Sequence, residues 1–427
     1  QRTGFGEQEH RVNDTIADEI MRRLDLLAML TEQPPALTRR YLTEQHAAAN
    51  RLVAGWMEAA GMTARTDAAG NIVGRYDAAQ RDAPALLIGS HLDTIVDAGR
   101  YDGMLGVVLP VSCIQRFNES GRRFPFAIEV IGFGDEEGVR FQSTYLGSRA
   151  VAGTFDTALM DRRDANGTTL ADAMTAFGLT PSQIGEAARD PAGVIAYVEV
   201  HIEQGPVLER DGRPVGVVTA IAGATRLECR IRGMAGHAGT VPMAGRQDAL
   251  AAAAEAVLAV ESVCTRGNGL VGTVGRIAAL PGAVNVIPGE AVFSIDIRAP
   301  LDTDRQQAVT EVRDSITEIC RRRDVAVSVS VTHEAASVPC AERLMAALER
   351  AAAASGIDAP RLASGAGHDA AAMSALTDVG MLFVRCKDGI SHNPAESISA
   401  GDAAVALAVL ERFLMDFKDE EHAHHAA

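Results

Sequence analysis

Three acids, Asp135, Glu136 and Glu137, stand side by side in the stretch Gly134–Gly138. Three adjacent carboxylates repel one another, so a fold that gathers them beside its core must supply positive charge there. No Lys or Arg lies inside the stretch, and the first to follow it is Arg140. A metal ion would meet the need, and a pair of ions would meet it better. Four further residues suit such ions: His91, Asp102, His201 and His392. With Glu137 they make five candidate ligands. Imidazole and carboxylate together favour Zn, Mn, Co or Ni over Ca or Mg. Asp102 could bridge two ions, since one carboxylate offers two oxygens. Glu136 would then be free to take a proton from water. Asp93, two residues after His91, could accept the far N–H of that imidazole and fix its tautomer.

Strands must bring these residues together. Phe126–Phe133 is an apolar run rich in β-branched and aromatic residues, and it predicts a buried strand just before the acids. Ala85–Ile88 ends in Gly89-Ser90-His91-Leu92-Asp93-Thr94, and Ile195–Val200 ends in His201. Met381–Cys386 precedes His392. Four of the five candidates thus follow a predicted strand, the place where α/β sheets build their sites. Helices are predicted over Asp14–Leu30 with Asp14 as N-cap, Thr38–Ala60, Thr157–Ala188, Ala341–Ala354 and Asp402–Phe417. Between roughly 217 and 333 the order β-α-β-β-α-β suggests an inserted ferredoxin-like domain. The chain would then divide into 1–216 and 334–427, the two parts of a catalytic metal-binding domain, and the insert 217–333.

Simpler readings of the same residues exist. Glu136 and Glu137 also fit the first turn of a helix. A lone His at a strand end is usually a satisfied polar residue, which is the reading for His46 and His333. Gly132-Phe133-Gly134 does not suit a dinucleotide, because the acids that follow would repel a pyrophosphate. No Gly-x-Ser-x-Gly elbow supports a serine hydrolase.

At 427 residues, 47% hydrophobic and 22% charged, the chain has the composition of a globular protein with room for two domains. Its net charge of −16 disfavours nucleic acid and anionic membrane surfaces. Six scattered cysteines without a Cys-x-x-Cys pair suggest reduced thiols and a cytoplasmic location. No apolar run nears ~20 residues, the length that spans a membrane. An opening Gln1 instead of Met suggests a trimmed end. His422, His424 and His425 read as a solvated tail.

Taken together, Gly89–Thr94, Asp102-Gly103, Asp135–Gly138 and Ser391-His392-Asn393 resemble the dinuclear metallopeptidase family that includes glutamate carboxypeptidase and aminoacylase. Glu199–Gly205, Gly236–Gly239, Asn285–Pro288 and Gly365–Asp369 resemble its carbamoylase branch more closely: N-carbamoyl-L-amino acid hydrolase, allantoate amidohydrolase and β-ureidopropionase. The resemblance covers nearly the whole chain, in order. It implies a mixed-sheet α/β catalytic domain with helices on both faces, plus a ferredoxin-like insert serving as lid and dimer contact. It implies two divalent ions, Zn²⁺ or Mn²⁺ with Co²⁺ or Ni²⁺ as alternatives. His91, Asp102, Glu137, His201 and His392 would bind them, Asp102 bridging. Glu136 would be the general base and acid, and Asp93 would orient His91. Arg298 would pair with a substrate carboxylate, Gln204, Asn285 and Gly365 would contact the substrate, and His237 would reach a partner subunit's site. The implied activity is hydrolysis of the carbamoyl C–N bond of a ureido acid by a metal-activated hydroxide, in a homodimer. The rival readings are a di-metal aminoacylase or exopeptidase, and a metal-binding protein that kept the fold without catalysis.

Overall fold

The structure is a computed structural model that describes residues 3–418 except 268, with side chains described from Ile16 onward. The His-rich tail lies outside the described residues. The chain forms two compact units. One holds the residues up to Thr219, then Cys340–Leu362, then His368 through the last helix. The other holds Ala220–Pro339 and Ala363–Gly367, beside the 217–333 read from sequence. The short segment 363–367 joins the second unit through hydrogen bonds: Ala222 N donates to Ser364 O at 2.9 Å, and Arg298 Nη1 to Gly365 O at 2.8 Å.

In the first unit the strands run in the order Thr63–Thr66, Ile72–Tyr76, Ala127–Phe133, Ala85–His91, Val194–Ile202, Val379–Val384 and Val215–Ile221. The four central ones are parallel to their neighbours, and the flanking pairings are antiparallel, so the sheet is mixed. Every residue of the four central strands is buried. A strand buried on both faces reads as an uninterrupted apolar run, which is why these segments were legible. Register places His91 beside Phe133 and Phe383 beside His201. The carboxyl ends of all four central strands therefore finish level, and the residues after them emerge together. The helix Leu105–Glu119 packs on Ala85–His91 and Val194–Ile202. It approaches so closely that a Cβ on Gly106 would lie 2.2 Å from Val200 O. Helices Glu342–Ala354 and Ala400–Asp416 pack on Val379–Val384.

Three predicted helices differ from those observed. The first runs from Thr3 to Ala28, so Asp14 lies within it and is no N-cap. The second begins at Glu44, because Thr43 caps it by accepting from His46 N and the residues before it are held elsewhere. There Arg39, fully buried, donates to the carbonyls of Leu27, Leu30 and Leu92. The stretch Thr157–Ala188 is no continuous helix. It contains the helix Leu170–Phe177, capped by Thr169 and closed by Gly178 at φ 95°, flanked by 3₁₀ turns at Thr157–Asp161 and Pro181–Ala187. Caps and Gly-Pro punctuation outweighed the alanine-rich composition.

In the second unit the element order is β-α-β-β-α-β. Gly223–Arg232 lies between Glu290–Ala299 and Ala326–Ala335, all antiparallel. The second strand is split into Val271–Thr273 and Ile277–Leu280, each paired to Glu290–Ala299. Along Glu290–Ala299 burial alternates residue by residue. Phe293, Ile295 and Ile297 point to a core shared with helices Ala249–Thr265 and Asp302–Arg322, while Asp296 and Arg298 belong to the opposite, polar face. Among the described residues no helix is long and apolar enough to cross a membrane.

Candidate metal centre

Asp102 sits at the middle of the site, 5% exposed. Its Oδ1 lies 3.1 Å from His201 Nε2 and 3.5 Å from His91 Nε2. Its Oδ2 lies 3.3 Å from His392 Nε2, which is in turn 3.5 Å from Glu137 Oε1. The other four predicted ligands thus form two pairs, one at each oxygen of Asp102. The turn that carries Asp102 needs a glycine next: Gly103 has φ 72°, and a Cβ there would lie 2.4 Å from the His91 ring.

The tautomers follow from the backbone. His91 Nδ1 lies 2.9 Å from Asp93 O, and His201 Nδ1 lies 2.9 Å from Ile202 O. Each Nδ1 therefore carries the proton, and each Nε2 turns a lone pair toward a carboxylate oxygen. Among the described residues the buried His201 Nε2 has no hydrogen-bond partner. Two lone pairs and an anionic oxygen facing one another is an arrangement that a cation resolves. The same holds for the acids. Burial and Asp102 push the Glu137 carboxyl up to about 7. Burial above all, with Glu137, Asp369 and Asp93, drives Glu136 well up against the opposing pull of His91. Burial would also raise Asp102, but the imidazoles of His201, His392 and His91 gathered around it hold it well below the carboxylate range. The residues fit a bound cation by donor type and by the unmatched charge they gather.

Glu136 is buried beside these groups: a carboxylate oxygen of it, one of Glu137 and a ring nitrogen of His91 all lie within 4.8 Å of one another. Asp93 acts differently from the sequence expectation. Its backbone carbonyl, not its carboxylate, takes the His91 Nδ1–H, the carboxylate oxygen being 3.8 Å away. The carboxylate instead accepts from Glu136 N at 3.1 Å and Glu137 N at 3.2 Å. It thus holds the backbone that carries both acids. Gln204 Nε2 donates to Asp102 Oδ2 at 2.9 Å and to Ser391 Oγ at 3.1 Å, so here it braces Asp102.

The remaining predicted residues lie in the second unit. Arg298 donates through Nε and Nη2 to Asp296 at 3.0 and 3.1 Å, and through Nη1 to Gly365 O. Arg226 Nε shares Asp296 Oδ2 at 3.2 Å. These residues line a cavity of about 600 Å³. His237 and Asn285 are exposed on a two-stranded ribbon in which His237 pairs with Val286 and Ala238 N donates to Asn285 O.

Sequence reasoning assigned no role to several buried groups around the centre. His368 stacks edge-on against His201, ring centres 4.4 Å apart. Glu199 accepts from Ser90 Oγ, Tyr197 Oη and Ala370 N, and Asp369 accepts from Ser148 Oγ at 2.6 Å. The signal available was an acid or imidazole inside an apolar run, as at Glu199, two residues before His201.

A metal-dependent α/β hydrolase is the class that this sheet and this candidate ligand set fit. The chain belongs to the peptidase family M20/M25/M40, whose model matches residues 87–416. It is 43% identical to a probable allantoate deiminase of Oryza sativa subsp. japonica over 94% of this chain and 88% of the relative. It is 41% identical to an N-carbamoyl-L-amino acid amidohydrolase of Geobacillus stearothermophilus, covering 92% and 96%. Its fold superposes on a hydantoinase/carbamoylase family amidase of Burkholderia ambifaria with TM-score 0.87 at 32% identity, covering 93% and 96%.

Proposed function

We propose that this protein hydrolyses the carbamoyl C–N bond of a small ureido acid, an N-carbamoyl-L-amino acid or allantoate, with two divalent ions, Zn²⁺ or Mn²⁺, in each subunit. The observation that carries the reading is Asp102, with His91 and His201 at one carboxylate oxygen and His392 and Glu137 at the other. The names of its relatives support the substrate class. One ion would be held by His91, His201 and Asp102, the other by Glu137, His392 and Asp102. When bound, divalent cations supply Lewis acidity and bring the deprotonation of water into the neutral range. Glu136 takes the proton from the attacking water and delivers it to the leaving nitrogen as the C–N bond breaks. Ammonia and carbon dioxide leave with an amino acid, or with a smaller ureido acid if allantoate is the substrate. Arg298, held in place by Asp296 and Gly365, selects the substrate carboxylate, with Asn285 as a further hydrogen-bonding group. The protein acts as a homodimer through the second unit, and exposed His237 serves a partner subunit's site. Its six free, buried cysteines suit the reducing cytoplasm.

The test is ammonia release from a panel of N-carbamoyl-L-amino acids and allantoate by the metal-loaded enzyme. Turnover of at least one is expected. Hydrolysis of dipeptides or N-acyl amino acids with no ureido acid turned over would assign the protein to the peptidase or aminoacylase side of its family.

A further inference from the structure

Glu396 lies 3% exposed behind the centre, among the groups to which sequence analysis assigned no role. Its Oε1 accepts from Tyr101 N at 2.9 Å and from Asp102 N at 3.0 Å. Its Oε2 accepts from Ser391 Oγ at 2.9 Å. Ser391 Oγ is also 3.2 Å from Asp102 Oδ2, and Gln204 Nε2 reaches both. The carboxylate has a built seat: a Cβ on Gly99 would come within 2.3 Å of it. One side chain therefore ties the backbone of the bridging ligand to the residue that precedes His392.

The two ligand groups depend on this tie unequally. His91 and His201 stand at strand ends, nearly fully buried, each with its Nδ1 at a backbone carbonyl. His392 is on a loop, its side chain 50% exposed and its φ 54°. A left-handed conformation at a non-glycine residue is held only by its surroundings. Those surroundings are Ser391, anchored on Glu396, and the turn in which Glu396 N donates to Asn393 O at 3.0 Å.

We propose that Glu396 is a positioning residue that locks the His392 loop to the Asp102 turn, so that the cation position formed by Glu137, Asp102 Oδ2 and His392 depends on it far more than the position formed by His91, His201 and Asp102 Oδ1. This rests on the two-cation reading above. The test is calorimetric titration of Zn²⁺ into the metal-stripped full chain, with the visible spectrum of the Co²⁺ form reporting ligand geometry. Wild type is expected to take up two ions. Glu396→Ala is expected to weaken the second ion by about 10- to 100-fold, the usual effect of losing an outer partner of a ligand, and the first by much less. Glu396→Gln keeps an acceptor for the two amides and recovers most of that loss. Equal weakening of both ions, or of neither, in folded Glu396→Ala overturns the proposal. If that variant does not fold, Ser391→Ala carries the test by removing one hydroxyl, and unchanged binding of both ions by it overturns the proposal. Uptake of fewer than two ions by wild type would instead defeat the two-cation reading itself.

Discussion

Stripping the metal should make stability fall as pH rises across the neutral range. In the metal-free chain Glu137 titrates at about 7 when folded, against an ordinary 4.5. Between those values the folded chain holds a proton that the unfolded chain has lost. Unfolding then releases protons, so stability declines with rising pH. The difference of about 2.5 pH units corresponds to about 3 kcal/mol for this group alone, at 1.36 kcal/mol per unit. His91, His201 and His392 are also raised when folded. Their contribution is complete below their ordinary value and is lost as pH passes through the folded one, so the sign is the same. Asp102 has the opposite sign, because its stabilisation is lost as pH falls through a depressed value. Both its folded value and its ordinary 3.8 lie below the window, so it adds no slope there. Buried His46 and His368, held neutral when folded, oppose this slope below 6.5, so differential scanning calorimetry of chelator-treated enzyme from pH 6.5 to 8 should show a falling Tm. Divalent ions should restore it, most at the alkaline end, because ligands bind metal deprotonated. A Tm that is flat or rises with pH in the chelated enzyme, or no restoration by Zn²⁺ or Mn²⁺ at pH 8, would refute the argument that these groups crowd together for a cation.

Glu136→Gln keeps side-chain volume and the backbone bond to Asp93, so metal content by atomic emission should match wild type while kcat drops about 10²- to 10⁴-fold; near-normal turnover would remove Glu136 as the base. Asp93→Asn leaves one acceptor oxygen for two backbone amides and should cost about 1–3 kcal/mol in thermal stability, with no change in Tm counting against its bracing role. For Arg298→Ala, KM for carboxylate substrates should rise by about tenfold or more and Arg298→Lys should not rescue it, since an ammonium lacks the planar fork; an unchanged KM would retire the assignment. His237→Ala should be inactive alone yet partly active when mixed with Glu136→Gln subunits, and a mixture with no recovered ammonia release would argue against a shared site.

The sequence by itself determined the candidate ligand types and the strands that deliver them. Ala85–His91 and Ala127–Phe133 are continuous apolar runs, and their patterning is local, so it reads directly as buried strand. His91, Glu137, His201 and His392 were legible because each follows such a run. Thr157–Ala188 misled because its alanines favour helix everywhere, whereas a few caps and turns decided where helix stops. Only the tertiary structure decided which atoms meet. That His91 is fixed by the Asp93 carbonyl, while the Asp93 carboxylate braces Glu136 and Glu137, follows from how two neighbouring strands end in register. Glu396 bonds the backbone of Asp102 across 294 residues of chain. Hydrogen bonds are short and directional, so a partner that distant has no periodicity to announce it; packing alone brings it within reach.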